Sequence, residues 1–298
     1  MNVVYIVLAH DYPDQLIRLV KKLQAPNGTI LIHQDKNMDS AGAAKIKNAF
    51  KELADVRFLP RFSVRWGGFS LSRATNAAIS QIIDQKVACD YAILLSEQDY
   101  PIKSNSSFLQ FLENNRGKSY MEVHALPYEN WTFGGLHRIE QWHFGMSWIG
   151  SHFLRARVKY YLELFCDHVL PARRFPQGFQ PYGGSTWWVL SRDCLEYVHA
   201  FNRTHAEFIR FFNYVANASE LYYQTILKNS PLSSSIENNK LTYTDLSLGG
   251  VHPKTLQDED FEQSVKTHEF FARKFDMQKD IQILDMLDVQ SQEAFISE

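Results

Sequence analysis

The sequence lacks several features that would assign it to a common class of protein. No stretch approaches the roughly 18 consecutive apolar residues of a transmembrane helix. The start, MNVVYIVLAHDYP, has no basic segment, and its apolar run breaks at His10 and Asp11, so it predicts a buried strand and not a signal peptide. Three cysteines without metal-ligand spacing predict neither a disulfide framework nor a zinc site, and they favour a reduced, cytosolic setting. A net charge of −2 with scattered basic residues argues against nucleic acid as a partner.

The first hundred residues do show a regular alternation of apolar and amphipathic segments. The apolar runs predict strands, and the amphipathic stretches between them predict helices. The predicted strands are 3–9, 29–33, 56–59 and 91–95, and the predicted helices are 14–23, 41–53 and 71–86. Short strands separated by helices indicate βαβ units. The fold class predicted is therefore α/β, with a mostly parallel central sheet flanked by helices.

Polar clusters follow three of these strands: AHDYP after the first, HQDKN after the second and SEQDYP after the fourth. Open parallel sheets bind ligands at the carboxyl ends of their strands, so the clusters predict a binding site there. Beyond residue 116 the periodicity is broken, with helices predicted at 192–201 and 219–229, a strand at 241–244 and a helical C-terminus. We interpret 1–298 as one domain, with a nucleotide-sugar half (1–115) and an acceptor-binding and catalytic half (116–298).

Eight segments carry a family resemblance: YIVLAHDYP, ILIHQDKN, VRWGGFSLSRATNAAI, YAILLSEQDYPIKS, GGSTWWVLSRDCLEYV, SELYYQTILKNSP, HPKTLQDEDF and FFARKFD. Occurring in this order over residues 3–276, they closely resemble the core-2/I-branching enzyme family, glycosyltransferase family 14. This family holds β-1,6-N-acetylglucosaminyltransferases and peptide O-xylosyltransferases. The resemblance implies a GT-A-type fold, a UDP-sugar as donor co-substrate, an inverting reaction, and no cofactor or divalent metal.

An inverting transfer needs a base beside the acceptor hydroxyl and positive charge beside the UDP leaving group. The resemblance places the catalytic carboxylate at Glu220, at the start of SELYYQTIL, although an acid there could simply favour the helix dipole. It likewise implies that Lys274 contacts the diphosphate, with Arg273 beside it. The alternative for this pair is a solvated face of a helix. A second cationic contact is less defined, and His252 or Lys254 could provide it.

Donor-binding residues are expected at the ends of the first two strands. His10 and Asp11 are predicted near the uracil, and the resemblance implies that Asp35 reaches the ribose hydroxyls, although a strand-end Asp is also a common turn residue. Arg65 and Trp66 resemble the donor-side segment of the family, or else form a packed turn.

Two Asp-x-Asp-like segments raise the question of a metal. Asp99 is expected to order its loop or contact the donor sugar. The alternative is that Glu97 and Asp99 hold a divalent ion through the diphosphate. The segment Asp258 to Asp260 is better explained as acidic charge at the start of a helix.

The acceptor is expected around an aromatic turn and in the middle of the chain. The predicted substrate contacts are Gly184, Ser185, Trp187, Trp188 and Glu122. Because side chains alternate along a strand, one of the two tryptophans should be core. No motif supports Glu122, nor the weaker candidates Arg138, Glu140 and Trp142.

The function favoured is transfer of GlcNAc from UDP-GlcNAc to a hydroxyl of a glycan or glycolipid-linked acceptor, with a β-linkage formed. The alternatives are transfer of xylose to a peptide serine, a non-catalytic carbohydrate-binding protein on the same fold, and a nucleotidyltransferase. The last would require a glycine-rich basic loop after the first strand, and AHDYPDQ has none. Because the sequence starts at its first strand, it resembles bacterial-type members without a membrane anchor. The expectation is a cytoplasmic protein, with peripheral association at the inner face of the membrane.

Overall fold

The structure is a computed structural model that describes residues 1–65, 67–144, 152–170, 173–249 and 253–296. The strands within these ranges are β1 (Val3–Ala9), β2 (Gly28–Gln34), β3 (Val56–Phe58), β4 (Tyr91–Ser96), β5 (Asp99–Pro101), β6 (Ser119–Met121), β7 (His124–Ala125), β8 (Tyr182–Gly183), β9 (Trp188–Ser191), β10 (Ile236–Glu237), β11 (Thr242–Thr244) and β12 (Phe271–Arg273). The helices are α1 (Pro13–Leu23), α2 (Ser40–Phe50), α3 (Ser70–Asp84), α4 (Asn105–Asn114), α5 (His137–Glu140), α6 (His152–Val169), α7 (Arg192–Thr204), α8 (Ala206–Phe212), α9 (Tyr222–Lys228), α10 (Phe261–Lys266) and α11 (Gln282–Ile296). Short 3-10 turns lie at 132–135, 218–220, 233–235 and 258–260.

A seven-stranded sheet forms the centre, in the order β10-β6-β9-β4-β1-β2-β3. The pairs β1/β2, β1/β4, β2/β3 and β6/β10 are parallel, whereas β9 runs antiparallel to both β4 and β6. The prediction of an α/β fold with a mostly parallel central sheet flanked by helices is confirmed. Strands from both halves of the chain share this sheet, and the functional division at residues 115 and 116 stays a prediction.

The core lies on both faces of the sheet. Along β1, Val4, Ile6 and Leu8 pack on one face with residues of α3, α7 and α9, while Tyr5 and Val7 pack on the other with residues of α1, α2 and α11. Alternate side chains of a strand point to opposite faces, so a strand covered on both sides must be apolar throughout. This explains the unbroken apolar run at the start of the sequence. No helix in the described ranges is both long and apolar enough to span a bilayer.

A second, three-stranded sheet joins the C-terminal region to the end of β4, in the order β11-β12-β5. Its strand β12 runs antiparallel to β5 and places Arg273 directly opposite Asp99. The helical C-terminus begins at Gln282, whereas FAR before it is a strand, so the alternative that Arg273 and Lys274 lie on a solvated face of a helix is wrong. The strand is fixed by its pairing with β5 and by Phe271, whose ring meets that of Phe108 edge-on at 5.2 Å. Neither contact is local in sequence.

Candidate active site

Glu220 ends a short 3-10 turn that precedes α9, and its side chain is one-third exposed. Its Oε2 accepts a hydrogen bond from Nη1 of Arg138 at 2.5 Å, which is also an ion pair. Burial raises the pKa of the Glu220 carboxyl above its ordinary value, although the Arg138 guanidinium opposes the rise; Glu122 adds to it. A carboxylate with a raised pKa and one oxygen anchored by a cation is suited to accept a proton.

Arg138 is held over an aromatic ring that occupies space left by two glycines. The centre of its guanidinium lies 4.0 Å from the ring centroid of Trp131. A Cβ built on Gly183 or on Gly135 would come within 2.6 Å of this ring. The glycines therefore let Trp131 lie under Arg138, and Arg138 in turn fixes Glu220.

The loop 183–187 joins Glu220 to the positively charged end of β12. The backbone N–H of Gly184 donates to the carbonyl of Glu220 at 2.8 Å, and the hydroxyl groups of Thr186 and Ser219 are 2.9 Å apart. Ser219 lies in the 3-10 turn that begins after Asn217 and makes no cap hydrogen bond there. A Cβ on Gly184 would lie 1.8 Å from a backbone oxygen of Glu122, so this position requires glycine.

The two tryptophans point in opposite directions. Trp187 is half-buried, and the guanidinium of Arg273 lies 4.2 Å from its ring centroid. Trp188 is 1% exposed and packs edge-on against Tyr223 in the core. The assignment of Trp188 to the substrate is therefore corrected: β9 directs this side chain into the core, and only Trp187 faces the side of Arg273. Ser185 accepts from the N–H of Trp187 through its Oγ and from Gln224 Nε2 through its carbonyl.

Asp99 lies fully buried at the start of β5. Its Oδ2 accepts from the backbone N–H of Ser96 at 2.6 Å and from the Ser96 hydroxyl at 2.5 Å, and its Oδ1 lies 3.7 Å from Nε of Arg273. Burial raises the pKa of Asp99, whereas Arg273 and Ser96 oppose the rise. In the described part of the chain, the buried Nε and Nη1 atoms of Arg273 donate no hydrogen bond. The guanidinium can therefore take an anion as ligand.

His10 pairs with the buried acid Glu97, which the sequence suggested only as a metal ligand. Its Nδ1 lies 2.6 Å from Oε1 of Glu97, and the same oxygen accepts from the backbone N–H groups of His10 and Asp11 at 3.2 and 3.3 Å. Asp11 is exposed, and its own carboxylate accepts from the N–H of Tyr12. Lys274 is the residue after Arg273. Burial is the main cause that lowers the pKa of its ammonium, and the neighbouring Arg273 charge lowers it further, whereas Glu97 raises it.

Asp35 lies at the end of β2 and is buried. Its Oδ1 accepts from the N–H of Asn37 at 2.7 Å and its Oδ2 from the N–H of Val64 at 3.2 Å. Both oxygens thus organise the turn that follows the strand. Contact with a ribose would add to this structural role, because each carboxylate oxygen can accept more than one hydrogen bond.

The remaining predicted donor residues either lie away from Asp99 and Arg273 or fall outside the residues that the structure describes. Arg65 is exposed and lines a cavity of about 440 Å³ at the start of α3, together with Arg73 and Asn217. Trp66 and His252 lie outside the described residues. Lys254, the alternative to His252, forms an ion pair with Asp260 at 2.7 Å and so serves the start of α10.

Of the acceptor candidates in the middle region, Glu122 lies near Glu220, whereas Glu140 and Trp142 make other contacts. Glu122 bonds Lys240 through Oε2 at 3.0 Å and lies close enough to Glu220 to affect its pKa. Glu140 is exposed at the end of α5, and Trp142 packs edge-on against Tyr214. The sequence missed Trp131 and the pairings of Arg138 and Glu97. No local signal reveals the two pairings, since Arg138 and Glu220 are 82 positions apart and His10 and Glu97 are 87 apart.

The alternative that Glu97 and Asp99 hold a divalent ion stays a prediction. Within the described ranges, no group of three or more His, Cys, Asp or Glu side chains could hold a metal ion. At Asp99, one oxygen is occupied by Ser96 and the other faces a guanidinium.

Comparison with known proteins gives one family match and several distant relatives. The family model described as Branch, the Core-2/I-Branching enzyme, matches residues 3–272. Xylosyltransferase 2 of Canis lupus familiaris is 29% identical over 311 residues, which cover 97% of this chain and 33% of that protein. Xylosyltransferase 1 of Homo sapiens is 25% identical, covering 97% of this chain and 30% of that protein. The chain thus spans about a third of the length of these curated relatives.

The solved structures that align with this chain share less sequence identity with it than the curated relatives do. Mouse xyloside xylosyltransferase 1 in its apo form aligns over 91% of this chain and 96% of its own, with a TM-score of 0.37 and 9% identity. The galactosyltransferase LgtC, in complex with donor and acceptor sugar analogues, aligns over 91% of this chain and 86% of its own, with a TM-score of 0.42 and 10% identity.

Proposed function

The chain belongs to the Core-2/I-branching enzyme family of glycosyltransferases, and from this premise we propose that it transfers a sugar from a UDP-sugar to an acceptor hydroxyl by an inverting displacement. One observation carries the proposal. The loop 183–187 contacts Glu220 at one end and Arg273 at the other. The carboxylate base and a cation for the leaving diphosphate are thereby both in contact with the same short segment.

In the proposed reaction the acceptor oxygen attacks the anomeric carbon, and the bond from that carbon to the UDP oxygen breaks. Glu220 takes the proton of the acceptor hydroxyl, while Arg138 retains the second carboxylate oxygen and keeps the group oriented. Arg273 and Lys274 stabilise the charge that develops on UDP. A donor with an α-linked sugar gives a β-linked product.

We further propose that no divalent metal takes part. The support is the position of Arg273, which lies opposite Asp99 where a metal-dependent enzyme would need a free carboxylate. A cation bound at Asp99 would have to displace a guanidinium that is stacked on Trp187.

The donor is proposed to be UDP-xylose or UDP-GlcNAc. The sequence favours GlcNAc, whereas the curated relatives described above are named xylosyltransferases, which makes UDP-xylose the first donor to test. The acceptor is proposed to be a glycan, a glycolipid-linked sugar or a peptide hydroxyl. A cytoplasmic site of action at the membrane surface also stays a proposal.

The test is release of UDP from a panel of UDP-sugars, with and without EDTA. We expect release with one donor and no loss on addition of EDTA. Glu220→Gln should lower turnover by about 100- to 10,000-fold, the range for a missing general base, and still bind UDP. Glu207→Gln, on an exposed face of α8, is the matched control and should retain turnover.

Two further results decide the remaining alternatives. Lys274→Ala should weaken UDP binding, whereas Lys279→Ala, an exposed lysine nearby, should change it little. Near wild-type turnover of Glu220→Gln, or activity abolished by EDTA, would contradict the mechanism. Binding of glycans without UDP release from any donor would instead support a non-catalytic carbohydrate-binding protein.

A further inference from the structure

The carboxylate of Glu97 is fully buried and only half satisfied. Its Oε1 accepts from the ring of His10 and from two backbone N–H groups, but Oε2 has no hydrogen-bond partner in the described part of the chain. A buried carboxylate oxygen without a donor is costly, so a nearby cation gains by approaching it. His10 provides the proton on one side, and its ring is 62% exposed to solvent.

Lys274 is a cation close to this acid, because its neighbour Phe275 exchanges hydrogen bonds with Gln98, the residue after Glu97, at 2.9 and 3.2 Å. Among the described residues its ammonium makes no hydrogen bond or ion pair, and it interacts electrostatically with both Glu97 and His10. It is also the residue proposed to bind the donor diphosphate. Glu97 and the diphosphate therefore compete for the same positive charge.

We propose that His10 and Glu97 are positioning residues for the donor: protonated His10 neutralises Glu97 and leaves the charge of Lys274 to the diphosphate. This inference rests on the proposed function, since it concerns binding of a UDP-sugar. It assigns to Glu97 a role in controlling charge, distinct from holding a metal.

The charges around His10 give the direction of the effect. The groups that face it are Glu97 from the turn before β5, Asp11 from its own segment and Lys274 after β12. The hydrogen bond to Glu97 is the main cause that raises the pKa of His10, and burial and Lys274 oppose it. Loss of the His10 proton makes this group one charge more negative, so an anionic donor binds less well as pH rises. By linkage, donor binding must take up protons.

The experiment measures UDP-xylose and UDP-GlcNAc binding by calorimetry from pH 6 to 8, in buffers of different ionisation enthalpy. UDP-sugars are suitable because their diphosphate diester keeps the same charge throughout this range, unlike UDP. For the wild type we expect affinity to fall about fivefold with rising pH, at the low end of couplings between sites, with proton uptake on binding.

Two variants should move in opposite directions. His10→Gln keeps a donor to Glu97 but cannot be protonated, so it should bind weakly at every pH, without the proton uptake. Glu97→Gln removes the competing anion, so it should bind more tightly than the wild type at high pH, where His10 has lost its proton. His199→Gln removes another histidine paired with an acid, Asp84, away from the site, and should behave as the wild type.

The inference would be overturned if wild-type affinity did not change with pH, or if both variants lost affinity alike, as a purely structural pair would. Should Glu97→Gln fail to fold, the pH profile of His10→Gln decides alone, because a residual pH dependence equal to that of the wild type contradicts the proposal. If the folded wild type bound neither UDP-sugar at any pH, the proposed function would fail, and this inference with it.

Discussion

Arg138 is the group that favours the charged form of Glu220. Burial disfavours the ionised carboxylate, and the guanidinium at 2.5 Å is the main group that opposes this effect. The Glu220 carboxyl must be deprotonated before it can take the proton of the acceptor hydroxyl. Arg138 therefore acts through Glu220 as a positioning residue, and its loss should show in the pH profile more clearly than in the fold.

We expect Arg138→Met to shift the acid limb of the kcat/KM profile upward by about one pH unit, because burial of Glu220 is then unopposed. Activity at a pH below the shifted limb should fall about tenfold, with a smaller loss at high pH, where the carboxylate is ionised in any case. The measurement is initial UDP release between pH 5 and 9.

Arg138→Lys is the matched control, because it keeps the charge and loses the planar contact with Trp131. It should recover most of the shift in the acid limb. If Arg138→Met lowered activity equally at every pH, the arginine would serve the structure of the site and not the protonation of Glu220.

Among the elements, the loop 183–187 tolerates the least change, because it lies against the backbone of Glu122 and beneath Trp131. Gly184→Ala would place a Cβ 1.8 Å from a backbone oxygen, which forces the loop to move. Since the loop contacts both Glu220 and Arg273, a displacement of about 1 Å should lower kcat/KM by about 100-fold.

The control is Gly28→Ala at the first residue of β2, where the nearest atom to the added Cβ is 3.3 Å away and a small adjustment suffices. It should keep near wild-type activity. Thermal unfolding of both variants separates a local displacement from loss of the fold. Wild-type kcat/KM in Gly184→Ala would show that the loop does not position the reacting groups.

The elements also show what sequence can and cannot predict. The strand Val3–Ala9 was predicted with its observed bounds, and the first helices and strands agree to within a few residues, because their apolar periodicity is local. The strand at Phe271–Arg273 was missed, since only its pairing with β5 defines it. For the same reason, motifs indicated Glu220 and Lys274, whereas Arg138, Trp131 and the bond from His10 to Glu97 required the folded chain.

At the scale of the whole molecule, the C-terminal region closes against the first helix and so holds the donor-binding segment in place. Gln15 of α1 donates to the carbonyls of Glu97 and Phe275. One turn later, Arg18 bonds Asp285 and Asp288 of α11. The segment that carries Arg273 and Lys274 is thus followed directly by two contacts with the same helix, the first at Phe275 and the second in α11.

Asp288 of α11 takes part in several of these long-range contacts. It accepts from Arg18, from Lys22 at 2.9 Å and from the hydroxyl of Tyr100 at 2.9 Å, and its side chain is 29% exposed. Burial acts to raise the pKa of Asp288, but the hydrogen bonds from Lys22, Arg18 and Tyr100 outweigh it and lower the pKa. A carboxyl with a lowered pKa stabilises the fold above its unfolded pKa, and this stability is lost as pH falls through the folded value.

Asp288→Asn should therefore lower the free energy of unfolding by about 1.5–3 kcal/mol at pH 7, the size of hydrogen bonds to a charged group. The difference from the wild type should be the same at pH 5 and should shrink only below about pH 4, where the wild-type carboxylate also becomes protonated. Asp285→Asn is the control: its side chain is 61% exposed and, among the described residues, bonds Arg18 alone, so its loss should cost less than about 1 kcal/mol. Urea unfolding across this pH range provides the measurement. Equal losses in the two variants would mean that closure of the C-terminal helix depends on its apolar contacts, through Ile283, Leu284 and Leu287 in the core, and not on the ion pairs.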